Sequence, residues 1–365
     1  MKILNGYTDR QLAAKTISSI IDIAARLSPR VVNLMEVCGT HTAAIMKNGI
    51  RALLPENVRL LSGPGCPVCV TPPYLIDCAL QLAERPDVIL TTFGDMMRVP
   101  ATRGSLEDAK GRGADIKVVY SPLELLALSK ENAVKHIVFF SIGFETTAPA
   151  IAWTVKQAEE SGLKNLSIIP ANKLLPPVLA ELANAPDLAI DGFLCPGHVS
   201  VITGSSAFAE IAQEEDIASV VAGFEPLDIL LSIQMLLRQI LDGRAEVEIE
   251  YTRAVNRTGN KKAQTAMESV FEPVDSIWRG LGLIKNSGLG LRKKYADFEA
   301  LVDLTVEDFE DTVASGCICG EIIKGAKMPT DCSLFQKVCT PETPVGPCII
   351  SSEGTCSVYY AYCRS

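Results

Sequence analysis

At 365 residues the chain is about two to three times a usual single domain, which excludes one small stapled module and predicts two or three domains with cores of their own. Hydrophobic residues at 48% and charged residues at 21% exclude disorder as its main character. Lys and Arg total 34 against 43 Asp and Glu, a net charge of −9, and no four basic residues cluster, so nucleic acid and anionic membrane surfaces find no electrostatic partner. In chain order, runs rich in Val, Ile and Leu occur at 31–35, 58–61, 88–92, 117–120, 137–142, 166–170, 188–194 and 219–222, with helical stretches between them. Runs that are apolar at every position suit parallel strands covered on both faces, so the fold class is α/β. Eight strands in two groups of four predict two similar parallel-sheet domains, 1–121 and 122–242. From 243 to 365, Arg- and Lys-bearing helices and then an irregular tail rich in Gly, Pro and Cys predict a third, mixed domain.

Residues 1–16 contain no apolar core of signal-peptide length, and no uninterrupted apolar run approaches about eighteen residues, so the expected location is the cytoplasm. In that reducing compartment twelve cysteines point to metal binding or redox chemistry rather than to a disulfide framework. Cys38, Cys66, Cys69, Cys78 and Cys195 are spread through the body, whereas Cys317, Cys319, Cys332, Cys339, Cys348, Cys356 and Cys363 crowd the tail, which implies two different uses.

The unusual short sequences nearly all follow a predicted strand: Glu36-Val37-Cys38-Gly39-Thr40-His41, Gly63-Pro64-Gly65-Cys66-Pro67-Val68-Cys69, Phe93-Gly94-Asp95, Gly143-Phe144-Glu145-Thr146-Thr147, Pro196-Gly197-His198-Val199-Ser200 and Gly223-Phe224-Glu225-Pro226. The carboxyl ends of strands line the ligand crevice of open α/β sheets, so these loops are expected to converge in a cleft between the two domains. Gly and Pro that merely make turns are the plainer reading of any single loop, less so of the set.

Cys38 follows a strand at an expected helix start, where amide dipoles favour the thiolate, with His41 close by; the pattern suits a soft metal ligand or a nucleophile. Cys66-Pro67-Val68-Cys69 suits a dithiol–disulfide couple, since a zinc ribbon would require a second CxxC. Four thiolates complete the shell of a [4Fe–4S] cluster or of structural zinc, and the long, unequal tail spacings without paired CxxC knuckles favour iron–sulfur. The series Cys319-x12-Cys332-x6-Cys339-x16-Cys356 is the expected ligand set, with Cys317 as the alternative to Cys319. Cys317 and Cys348 would then be left over, free to pair with each other, and Cys78 and Cys195 read as packing residues. Of three histidines, His198 in its Pro-Gly-His turn is placed to hydrogen bond or shuttle a proton, while His136 reads as a solvated loop residue. Glu145 and Glu225 each follow Gly-Phe at a strand end, as functional or merely solvated carboxylates. No P-loop occurs.

Together with Trp278-Arg279-Gly280-Leu281-Gly282 and Ser351-Ser352-Glu353-Gly354, these motifs resemble the HypD family of [NiFe]-hydrogenase maturation proteins over nearly the whole chain. The resemblance implies a scaffold on which an Fe(CN)2CO group is assembled with the small partner HypC, cyanide coming from HypE. It implies that Cys38 binds that iron jointly with a HypC cysteine and that His41 supports the site. Cys66 and Cys69 would be the redox dithiol, communicating with a [4Fe–4S] cluster on Cys319, Cys332, Cys339 and Cys356. An assembly scaffold with redox activity is the leading expectation; a stand-alone thiol–disulfide oxidoreductase and a zinc-stabilised binding module are the competing classes.

Overall fold

The computed structural model describes residues 9–300 and 316–363. Two parallel sheets and one antiparallel hairpin organise it. The first sheet has the order β2-β1-β7-β8-β9, built from Val32–Glu36 (β1), Val58–Ser62 (β2), Gly192–Pro196 (β7), Ala218–Ala222 (β8) and Val247–Ile249 (β9). The second has the order β4-β3-β5-β6, built from Val88–Thr92 (β3), Ile116–Val118 (β4), His136–Gly143 (β5) and Leu166–Asn172 (β6). Every residue of β3, β7 and β8 is buried, as strands clad by helices on both faces require.

The α/β class and the parallel sheets are as expected, but the strands do not divide four and four about residue 121. The chain lays down β1 and β2, builds the whole second sheet, and returns to finish the first with β7, β8 and β9. A cut at 121 separates β4 from β5, which both belong to the second sheet and both flank β3. Apolar runs reveal that a strand is covered on both faces but not which strand lies beside it, and neighbour choice is what went astray. β9 also lies beyond residue 242, so the first sheet draws on the segment expected to be separate.

That later segment differs in content as well. Among the described residues, the helix Lys261–Val270 is followed not by another helix but by the hairpin of Phe271–Trp278 (β10) and Gly282–Leu291 (β11), and two short helices, Cys319–Lys324 and Thr355–Tyr362, lie in the tail. Gly280 and Gly282 turn the hairpin with φ of 80° and 79°, values that only glycine adopts without strain. The cysteine-rich residues have no core of their own: Cys319, Ile322, Cys339, Cys348 and Cys356 pack into one apolar cluster with Met35, Val37, Cys66 and Cys69. Among the described residues no helix is long and apolar enough to cross a membrane.

Candidate metal and thiol site

Cys38 ends the turn after β1 and is the N-cap of the helix Gly39–Lys47. The amides of Thr40 and His41 at the helix start favour the thiolate, although the sulfur accepts no capping hydrogen bond. The side chain is nevertheless only 7% exposed, and burial, reinforced by the nearby Glu353 carboxylate, pushes the thiol up to about 12. The expected drift toward thiolate is therefore reversed: desolvation outweighs two amide dipoles. Glu36, fully buried beneath, accepts from the Cys38 amide at 3.2 Å and from Thr42 Oγ1 at 2.6 Å, and burial lifts its carboxyl to about 7.

Two further segments close on Cys38. The Gly39 amide donates to the Gly65 carbonyl at 3.2 Å, and a Cβ on Gly65 would lie 2.4 Å from the Cys38 nitrogen, so this close approach needs glycine. From the other side, Thr40 Oγ1 donates to Glu353 Oε1 at 3.0 Å, and Ser351 Oγ donates to Asp95 Oδ2 at 2.8 Å. Glu353 and Ser351 are thus tied to the 38–41 turn and to the Phe93-Gly94-Asp95 loop respectively.

Cys66 caps the short helix Pro67–Val70, its sulfur accepting from the Cys69 amide at 3.2 Å. The two side chains are 4% and 2% exposed, and both are free thiols. Burial raises the Cys69 thiol well above its ordinary range, partly relieved by the neighbouring Cys348. The Cys348 thiol lies beside those of Cys319, Cys356 and Cys69, and Cys69 Sγ reaches the Pro347 carbonyl at 3.9 Å. The pairing of Cys317 with Cys348 is accordingly not what the structure brings together: Cys317 adjoins Cys319, and Cys348 lies between the CxxC loop and the tail. Spacing could not reveal this, because the turn at Pro347–Ile349 docks against Pro67–Val70 only in the fold.

Cys317, Cys319, Cys332, Cys339 and Cys356 line one tight apolar space, with a cavity volume of only about 10 Å³ as the side chains stand, closed by Leu334, Phe335 and Ile349. A Cβ on Gly346 would come within 2.9 Å of the Cys319 sulfur and 3.0 Å of the Cys317 sulfur, so this wall too needs glycine. Five thiols around one apolar space match in kind the four thiolates of a [4Fe–4S] cluster. As the side chains stand, no three His, Cys, Asp or Glu among the described residues form a ready metal shell. The sulfurs pack as thiols, so the fit is one of donor type and placement, and both Cys317 and Cys319 qualify.

The profile of the HypD family, described as the hydrogenase formation hypA family, matches residues 11–363. A hydrogenase maturation factor HypD of Azotobacter vinelandii is 46% identical over 368 residues, covering 99% of this chain and 95% of that protein. Those of Cupriavidus necator and Escherichia coli K12 are 44% and 42% identical, covering 100% and 99% of this chain and 98% of each relative. The chain belongs to the HypD family. Its members named here are hydrogenase maturation factors.

The other expected site residues of this HypD-family chain are scattered. His41 is fully buried, and its Nε2–H donates to the Gly223 carbonyl at 2.9 Å, so its ring faces the end of β8. Burial pushes it down to about 4, and Nδ1 has no partner among the described residues. Phe224 stacks between His41 and the exposed His198, with ring centroids 4.9 and 3.8 Å away. Glu225 is exposed at the N-cap of the helix Pro226–Leu241, its amide donating to Asp228 at 3.0 Å. Glu145 belongs to the second sheet: it is buried, accepts from the Leu175 amide at 2.9 Å, and is raised to about 7 by burial. His136 is the half-buried first residue of β5 and pairs with Ser167 Oγ at 2.8 Å, not a solvated loop residue. Cys78 and Cys195 are buried in the helix Pro73–Ala83 and in β7; Cys363 caps the last helix, Thr355–Tyr362. Sequence reasoning assigned no role to Glu36, Glu353 or Lys173; Glu36 and Glu353 carried a signal in the Glu-Val-Cys-Gly-Thr-His and Ser-Ser-Glu-Gly motifs, and Lys173 carried none.

Proposed function

We propose that this chain is the scaffold on which the Fe(CN)2CO group of [NiFe]-hydrogenase is assembled jointly with HypC, with HypE supplying cyanide. The observation that carries the reading is convergence: Cys38, the Cys66/Cys69 loop and the cysteine-rich tail, far apart in sequence, meet at one place, and thiol contacts run from Cys66 through Cys69 and Cys348 to Cys319. In this reading Cys38 is the chain's ligand to the substrate iron. Its proton leaves as the ferrous cation arrives, and the Thr40 and His41 amides share the sulfur's negative charge. A thiolate suits a low-spin iron carrying cyanide and CO. His41, bonded to Gly223, anchors the 39–47 helix to β8 and so fixes where Cys38 points.

Cys66 and Cys69 are the redox pair: closing a disulfide between them releases two electrons and two protons. A [4Fe–4S] cluster on Cys332, Cys339, Cys356 and either Cys319 or Cys317 supplies one-electron transfer when bound. The stand-alone oxidoreductase is less favoured, because Cys66 and Cys69 lie deeper than Cys38, at 4% and 2% exposed against 7%. Infrared spectroscopy of the chain purified with HypC tests the proposal. Cyanide and CO bands are expected in the wild-type complex and absent in Cys38→Ala that keeps its cluster absorbance; bands that survive the substitution place the iron elsewhere.

A further inference from the structure

β2 ends the first sheet, and all five of its residues line a pocket of about 480 Å³ whose other wall is the tail around Gly325 and Met328. Pockets of this size hold small organic ligands. Three cations line it on a chain whose net charge is −9: Arg51 from the helical turn Ile50–Leu53, Arg59 from β2 and Lys327 from the tail. None of the three forms an ion pair among the described residues. Asp331, a carboxylate in the lining, is already committed to the Met328 amide, which donates to it at 2.9 Å.

Arg51 is held in place before any guest arrives. Its Nη1 donates to the Leu60 carbonyl at 2.5 Å, its Nη2 donates to Ser62 Oγ at 3.2 Å, and the guanidinium lies 5.8 Å from the ring centroid of the buried Tyr359. By occupying the central carbonyl of β2, it closes this sheet edge to an added strand, so an extended peptide is a poor occupant. Arg51 Nε is buried without a partner among the described residues, an orphaned donor that a compact acceptor would satisfy. Arg59 and Lys327 are exposed and can close on the same guest. Three cations exceed what one carboxylate neutralises, and forked guanidinium and ammonium donors match the oxygens of a phosphate dianion. We propose that this pocket binds an organic phosphate, its phosphate held by Arg51, Arg59 and Lys327 and its apolar body lying against Leu54, Met328 and Pro329. The pocket adjoins the strand end that carries Cys38, since Ser62 pairs in register with Glu36, but the inference stands apart from the iron reading.

The test is isothermal titration of the full chain with phenyl phosphate, inorganic phosphate and phenol, in wild type, Arg59→Gln, Lys327→Gln and Lys130→Gln. Lys130 is the control, an exposed lysine of the helix Glu124–Glu131 outside the pocket. Wild type is expected to bind one phenyl phosphate per chain, about tenfold more tightly than inorganic phosphate, and to show no saturable binding of phenol. Arg59→Gln and Lys327→Gln should each weaken phenyl phosphate about tenfold, the loss of one charged donor, while Lys130→Gln leaves it unchanged. No saturable binding by wild type, pocket variants that bind as wild type does, or an equal loss in Lys130→Gln overturns the inference. Equal affinity for phosphate with and without the phenyl group overturns the organic ligand. Should a variant fail to fold, the wild type decides: phenyl phosphate is expected to slow phenylglyoxal modification of Arg59, mapped by mass spectrometry, and an unaltered rate refutes the site.

Discussion

Replacing Gly65 by alanine tests whether the CxxC loop and Cys38 are held by backbone contact. The new Cβ would lie 2.4, 2.5 and 2.7 Å from the nitrogen, Cα and carbonyl carbon of Cys38, all main-chain atoms that cannot rotate away. Overpacking of this kind costs about 1–3 kcal/mol, and a clash with three backbone atoms belongs at the upper end. Gly111→Ala is the control, since its Cβ would meet nothing within 4 Å and its φ is not in the left-handed region; a gain of about 0.4–1 kcal/mol is expected there. Urea unfolding followed by circular dichroism reads both, with m-values checked for constancy. Alkylation of Cys38 should also speed up in Gly65→Ala as the loop is pried off. If Gly65→Ala unfolds within about 0.5 kcal/mol of wild type and Cys38 stays equally protected, the contact does not hold the two segments together.

Buried titratable groups give stability a pH dependence of defined sign. Glu145, raised from 4.5 to about 7 by burial, binds a proton in the fold that the unfolded chain has released, so its contribution is full below pH 4.5 and lost as pH rises through about 7. That loss is on the order of 3 kcal/mol, and Glu145→Gln should flatten the pH 4.5–7 slope by that amount; an unchanged slope refutes the assignment. Lys173 runs the other way: lowered to about 7 by burial, it penalises the fold at acid pH, and stability should climb between pH 7 and 10.5 in wild type but not in Lys173→Met. Glu353→Ala removes the acceptor of Thr40 Oγ1, for a loss of about 1–2 kcal/mol in chemical denaturation and faster Cys38 labelling; unaltered labelling would mean that the segment does not cover the sulfur. Cys339→Ser takes one thiol from the tail cavity, and anaerobically reconstituted protein is expected to lose its absorbance near 400 nm, whereas full retention removes Cys339 from the ligand set.

The α/β class was legible because β3, β7 and β8 are mostly apolar along their whole length and buried at every position, a pattern independent of partner. Which strands share a sheet was not, since the pairing of Leu34 with Gly192 spans more than half the body and leaves no local trace. Cys38 and the CxxC loop declared themselves by the glycines around them, and Gly65 is required by the contact it makes. Burial escaped sequence reasoning: the amide donors at Cys38 were foreseeable, but the desolvation that overrides them comes from the 351–354 segment and the CxxC loop folding over it. Lys173 and Arg279 stayed hidden for a related reason, because nothing marks a cation as buried until Pro100, Ser276 and Ile277 are seen around it.

The wall that Glu353 builds against Gly39 has a bearing on the order of events during synthesis. Cys38 leaves the ribosome well before Ser351 and Glu353, the residues that shelter it. A nascent chain stalled before residue 351 therefore carries an uncovered sulfur, and the shelter closes once residues 351–354 have emerged. Stalled complexes of increasing length, probed with a thiol reagent, should lose reactivity at Cys38 only once the Ser-Ser-Glu-Gly segment has emerged.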